Sequence, residues 1–156
     1  MDIKQTVTVL TLVFLFSCGS GNESKEKGSA TADSNQQPKK IELNGCYQMH
    51  IVKDTAKLKL NTEGDSVIGT LSYKRYEKDS NDGIVRGTIK GETIKLWYRF
   101  GSEGVVSVRE VYFKIIGDKL IEGYGDMEMR GDTAYFSYPT ALRYEEQHPY
   151  IKVSCN

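Results

Sequence analysis

Arg109, Glu122 and Asp126, with Tyr98 and Tyr124 close by in the strand pattern, are the residues whose types and spacing come nearest to a chemical site. An arginine supplies a rigid fork of donors for a carboxylate or phosphate, and tyrosines supply walls that are apolar along the ring and polar at the tip. Two arrangements follow. In one, Arg109 with Tyr98 and Tyr124 forms the polar floor of a small-ligand pocket. In the other, the charged residues cap one end of the domain, half in water, with Arg109 meeting Asp126 directly and Glu122 diagonally, because buried charge is costly unless paired. A catalytic carboxylate pair fits poorly. Strand rise separates Glu122 from Asp126 by roughly 13 Å, too far for a glycosidase pair, and Asp126 to Glu128 is about 6.6 Å but falls at an exposed end.

Searches for other chemistry return nothing. The chain has no Gly-rich phosphate loop leading into a helix, no Gly-x-Ser-x-Gly and no His-Glu-x-x-His. Arg130-Gly131-Asp132 reads as a turn. His50 and His148 are the two histidines, and neither has an evident metal-binding companion. No cofactor, metal or enzymatic activity is implied.

The elements that must position these residues are strands. From Ile41 onward the pattern is period-two alternation between short turn-forming clusters, which predicts strands over 41–52, 55–61, 66–75, 83–90, 93–100, 105–116, 119–128 and 133–138. The expected turns are Lys53-Asp54, Glu63-Gly64, Gly91-Glu92, Gly101 to Gly104, Gly117-Asp118 and Met129 to Asp132. Each turn fixes a register. Gly117-Asp118 sets Phe113 against Glu122, Val111 against Tyr124 and Arg109 against Asp126. Gly101 to Gly104 sets Phe100 against Val105 and Tyr98 against Ser107. Gly91-Glu92 sets Ile89 against Ile94 and Val85 against Tyr98. Glu63-Gly64 sets Leu60 against Val67, and Lys53-Asp54 sets Met49 against Leu58. All of these put the apolar residues on one continuous face.

Sequential antiparallel strands with one apolar face predict an all-β fold, an up-and-down meander closing into a barrel of about eight strands, with a two-sheet β-sandwich as the alternative. Such a barrel looks like the calycin group, the lipocalins, avidins and their relatives. The resemblance is one of architecture over residues 41–156 and carries no binding residue across. On the outward face the same registers bring Trp97 to Val108, Val108 to Met127, Arg99 to Val106, Arg86 to Trp97 and Lys95 to Glu110. Trp97, Val106, Val108 and Met127 thus make a candidate partner surface, unless the segment 139–150 folds across it.

The N-terminus says where the domain works. Thr6 to Phe16 is an apolar run too short to cross a bilayer, preceded by Lys4, and it has the form of a secretory signal. Its end, Leu15-Phe16-Ser17-Cys18, resembles the bacterial lipobox. That resemblance implies a signal peptide over 1–17, cleavage before Cys18, acylation of Cys18, and an envelope lipoprotein of the outer membrane, on its periplasmic or surface face. Gly19 to Lys40 is polar and nearly free of aliphatic residues, so 18–40 reads as an unstructured tether with a reach of roughly 25 Å.

Charge is balanced. The first 17 residues hold Asp2 and Lys4, residues 18–40 hold three acids and four bases, and 17 acids and 16 bases remain from Ile41 onward. Such a sum gives no electrostatic footprint for nucleic acid and no polybasic face for anionic lipid, so membrane contact is expected through the acyl chains alone. With Cys18 acylated, Cys46 and Cys155 form an even pair in an exported chain, which suggests a disulfide; metal binding with His50 or His148 is the rival. The expected molecule is a monomeric, lipid-anchored module that binds a small apolar or amphipathic ligand or an envelope protein. The other expectation is a structural lipoprotein docking through the outer patch.

Overall fold

The computed structural model describes residues 42–78, 80–102 and 104–155. The expected signal peptide over 1–17, Cys18 and the expected tether over 18–40 lie outside the described residues. The domain is all-β and mainly antiparallel. Its strands are β1 (Gly45–Ile51), β2 (Asp54–Glu63), β3 (Ser66–Lys74), β4 (Asn81–Lys90), β5 (Thr93–Ser102), β6 (Val105–Ile116), β7 (Lys119–Tyr124), β8 (Met127–Arg130), β9 (Thr133–Phe136), β10 (Arg143–Tyr144) and β11 (Ile151–Val153). Alternation explains them: Lys57, Leu58, Lys59 and Leu60 are in turn exposed, buried, exposed and buried, the signature of a strand with one face in a core. The buried set, including Tyr47, Leu58, Leu60, Leu71, Val85, Leu96, Val111 and Phe113, is one contiguous core.

The hydrogen-bonded order is β10-β7-β6-β5-β4-β3-β2-β1-β11, with β9 laid parallel on β6 and β8 paired to β9. The ladder does not return on itself as a full strand pair. Its ends approach at one bridge, where the Tyr150 N–H donates to the Leu120 carbonyl at 2.8 Å and the Leu120 N–H to the Tyr150 carbonyl at 3.2 Å. The C-terminal segment 143–153 therefore pairs with β7 through β10 and Tyr150, and with β1 through β11. Just beyond β11, Cys155 is joined to Cys46 as a disulfide, with Cα atoms 5.3 Å apart.

The Gly91-Glu92 register is as expected, and the Gly117-Asp118 register is as expected as far as the Phe113–Glu122 pair. Three others are displaced by two residues: Met49 faces Ala56, Leu60 faces Gly69, and Tyr98 faces Arg109. At the first of these turns the chain reverses through Val52 and Lys53, although Val52 must take φ 54°. Asp54 is thereby placed in β2, where its Oδ1 accepts the Tyr76 N–H at 2.8 Å. A displacement of two keeps every side chain on its face, so the core composition survives the error.

The expected strand over 119–128 breaks after Tyr124. At Gly125 an added Cβ would lie 2.9 Å from Leu142 Cδ2, so the chain passes close beneath the Leu142 side chain there. Beyond it, β8 and β9 form a hairpin. Gly87 marks a second close approach, since a Cβ there would lie 1.8 Å from the Lys95 carbonyl oxygen.

Candidate functional site

Glu122 follows from the alternation of β7: paired with Phe113, it points into the core and is 5% exposed. A carboxylate so placed must be hydrogen-bonded. Tyr73, inward on β3, donates its hydroxyl to Glu122 Oε1 at 2.5 Å, and Tyr150 donates to Oε2 at 2.7 Å. Burial pushes the Glu122 carboxyl above its ordinary value, and the two hydroxyls and the Arg109 charge offset only part of that. The same burial, with the carboxylate adjacent, pushes the hydroxyls of Tyr73 and Tyr150 well up, so both remain donors.

Arg109, on β6, is enclosed by aromatic rings. Its guanidinium carbon lies 5.1 Å from the Tyr73 ring centre, 5.6 Å from Tyr98 and 6.0 Å from Phe100, within cation–π range. Tyr98 stacks on Phe100 at 4.6 Å and donates its hydroxyl to the Asn81 carbonyl at 2.9 Å. Burial pushes the Tyr98 hydroxyl up to about 12 despite the opposing charge of Arg109. Among the described residues Arg109 forms no ion pair, and its Nε is buried without a hydrogen-bond partner.

This differs from the expected Arg109–Asp126 pair. Because β7 ends at Tyr124, Asp126 is carried to the rim and is exposed, and the strand that reaches Arg109 from that side is β9, with Ala134 opposite. The Arg109 charge acts on the Glu122 carboxyl through space, without an ion pair among the described residues. The tyrosines take the place of counter-charge around both.

Above these residues a cleft of about 410 Å³ opens at the end of the sheet. Arg109, Glu122, Tyr124 and Asp126 line it, along with Tyr73 and Met127. Tyr98 does not line it and instead supports Arg109 from behind. Burial raises the Tyr124 hydroxyl, with the Glu122 charge adding to the effect. Asp54, Arg75 and Arg143 complete the rim, and apolar surface comes from Met49, Ile51 and Phe136. The volume falls in the range of small-molecule sites. Tyr73 and Tyr150 belong to the site although the motifs and spacing do not point to them. Tyr73 sits at an inward position of its strand and was discoverable by parity, whereas Tyr150 depends on a pairing outside the meander.

The outward residues of the patch do not pair as expected. Trp97 pairs with Glu110 and Val108 with Thr133, while Met127 pairs with Phe136 and lines the cleft. Tyr135 covers Trp97 edge-on at 5.2 Å, so the β8–β9 hairpin, not the segment 139–150, lies over this region. Val106 stays exposed. Lys95, not Arg86, stands over the Trp97 ring, at 5.0 Å, while its Nζ holds Glu110 Oε1 at 2.6 Å. Glu110 is buried and its Oε2 accepts the Phe136 N–H at 2.9 Å, which ties the hairpin to β6. His50 has a neighbour after all, Thr55 Oγ1 at 3.3 Å from its Nδ1. No cluster of three potential metal ligands occurs among the described residues.

Comparison of the chain with protein-family models, with curated proteins and with solved structures gives no match.

Proposed function

We propose that the chain is a lipid-anchored lipoprotein of the bacterial envelope whose β domain is a non-catalytic binding module, taking a small amphipathic ligand into the cleft above Arg109. The observation that carries this reading is Arg109 itself: a cation whose buried Nε has no partner and which forms no ion pair among the described residues, at the floor of an accessible cleft. A buried donor without a partner costs roughly 1–3 kcal/mol. A ligand carboxylate or phosphate supplies the partner, and Met49, Ile51 and Phe136 offer its apolar portion a wall. Glu122 has both oxygens engaged by tyrosine hydroxyls, an arrangement that suits a structural anchor more than a proton carrier.

The domain is further read as a closed barrel of the up-and-down kind. Strands β1 to β7 plus the segment 143–153 make a ring of eight, with that last segment as the shared strand between β7 and β1. In support stands the Leu120–Tyr150 bridge. The lipobox-like Leu15-Phe16-Ser17-Cys18 supports the anchor. Cys18→Ala should abolish partition of the exported protein with membranes, and wild-type protein found wholly in the soluble fraction would exclude acylation.

The test of the cleft is native mass spectrometry of protein extracted from its own membranes, comparing wild type with Arg109→Met. The expected result is a non-covalent adduct on wild type that is lost in the variant while the melting temperature stays close to wild type. A variant that melts much lower, with no adduct on either protein, would make Arg109 a structural residue and leave the cleft without a ligand.

A further inference from the structure

The neutral sum of the chain conceals a sorted distribution. Reading across β2, β3, β4 and β5, the registers align Lys59, Thr70, Ile84 and Arg99 in one row and Asn61, Ile68, Arg86 and Trp97 in the next; Lys57, Ser72 and Asp82 form a third row on the other side. All lie on the face opposite the buried Leu58, Leu60, Leu71, Val85, Leu96 and Tyr98, and Lys57, Lys59, Arg86 and Arg99 are exposed. Among the described residues none of these four cations forms an ion pair. Asp82 is the one acid within the three rows, and Glu110, beyond Trp97, is buried and held by Lys95. Beyond these rows, Glu63 ends β2 on the same face, paired with Ser66, while Asp65, Glu92 and Asp118 lie in the turns. Strand spacing puts Lys59 about 14 Å from Arg99, and strand rise puts Lys57 about 7 Å from Lys59. Ile68, 55% exposed, and Ile84, 44% exposed, stand amid the cations.

We infer that this outward face of β2–β5 docks on the phosphate-bearing headgroups of the bilayer that carries the chain's own anchor, with Ile68 and Ile84 resting at headgroup level. The inference rests on the anchored reading above. Charge complementarity selects an anionic surface, and the tether selects the membrane among anionic surfaces. Residues 18–40 would join the domain covalently to the anchor, so docking is intramolecular and weak attractions suffice. Each lysine or arginine near such a surface shifts the docked-to-undocked ratio about fivefold, equivalent to ~1 kcal/mol. The cleft above Arg109 lies at the end of the strands, so a domain lying on this face leaves it at the side, level with the membrane surface.

Trp97 is the single tryptophan of the chain and sits on this face opposite Arg86, which makes it a built-in reporter. The acylated full-length product is reconstituted on phosphatidylcholine vesicles bearing a dansyl lipid, with and without phosphatidylglycerol, and energy transfer from Trp97 is measured. The expected result is higher transfer with phosphatidylglycerol, reversed by molar salt, which cuts the screening length to about 3 Å. The variant Lys59→Gln/Arg86→Gln/Arg99→Gln should lose the difference, while Lys119→Gln, off this face, keeps it; circular dichroism confirms that both variants are folded. Equal transfer on both vesicles, or a triple variant that behaves as wild type, overturns the inference. So does a face that binds soluble polyphosphate but not vesicles, which would assign it to a polyanionic polymer. Failure of the anchor would show separately, as protein that does not pellet with neutral vesicles; pelleting with phosphatidylglycerol vesicles alone would then still support the face, and pelleting with neither would end both readings.

Discussion

Replacing Tyr150 with phenylalanine removes a single oxygen from the centre of the domain and tests how Glu122 is accommodated there. The ring contact with Phe113, centroids 5.1 Å apart, and the backbone bridge to Leu120 both survive the change. What is lost is the 2.7 Å hydrogen bond to a carboxylate that is 5% exposed. A bond to a charged acceptor contributes about 1.5–3 kcal/mol, and for a domain of this size that lowers the melting temperature on the order of 10 °C at neutral pH. The pH dependence gives the sharper signature. Because burial raises the folded-state value of Glu122 above 4.5, wild-type stability from this group is fully present below that pH and declines as pH rises through the folded value. The Tyr150 hydroxyl is one of the groups that hold the folded value down. Without it the folded value climbs further, the window of declining stability extends upward, and the deficit of the variant grows with pH. In acid, where Glu122 is protonated, the deficit should shrink to about 1 kcal/mol, the worth of a neutral hydrogen bond. The assay is thermal melting of wild type, Tyr150→Phe, Glu122→Gln and the double variant from pH 4 to 8. A deficit equal in acid and at neutral pH, or one undiminished in the Glu122→Gln background, would refute the reasoning and assign the loss to packing.

Two more perturbations probe the frame around the cleft. Cys155→Ser removes the cross-link to Cys46 over a sequence separation of 109 and should cost about 2–4 kcal/mol by denaturant unfolding, with amide exchange at Tyr150 accelerating before the rest of the core. Glu110→Ala strips the acceptor from the Phe136 N–H and should raise hydrogen exchange across 127–136 while Lys95, whose side chain is 41% exposed, simply returns to solvent. Unchanged exchange in that hairpin would mean that Tyr135 on Trp97 and Phe136 on Tyr112 hold it unaided.

The faces of the strands were legible from local pattern, and the registers only partly. Turn chemistry identifies where a chain reverses, but within a stretch such as Val52-Lys53-Asp54-Thr55 it favours Asp54 as a turn residue. The chain uses Val52 and Lys53 instead, and Asp54, placed in β2, accepts the N–H of Tyr76, a partner 22 residues away. Side chains alternate with period two, so the two-residue displacements left Leu58, Leu60 and Val67 in the core as expected and changed only whom they face. The Arg109–Asp126 pair failed for another reason: a hairpin register was extended past the point where the strand ends. Gly123 and Gly125, at alternate positions of the expected strand, were the available warning of a close approach there.

Tyr150 could not be found by any local argument, and the reason bears on how the site forms. It lies 28 residues from Glu122 in a segment with little strand pattern of its own, between β10 and β11. One residue there performs two tasks: its backbone joins Leu120 on β7, and its hydroxyl completes the shell of the Glu122 carboxylate. The disulfide then fixes the chain that follows to β1. The meander β1 to β7 could assemble from sequential hairpins and still leave Glu122 with a single donor, Tyr73, and an expensive buried charge. Only docking of 143–153 supplies the second donor, so the energetic reward for joining the two ends of the sheet is concentrated at the floor of the cleft. Seam and site are therefore one cooperative unit, and a mutation at either should be read at both.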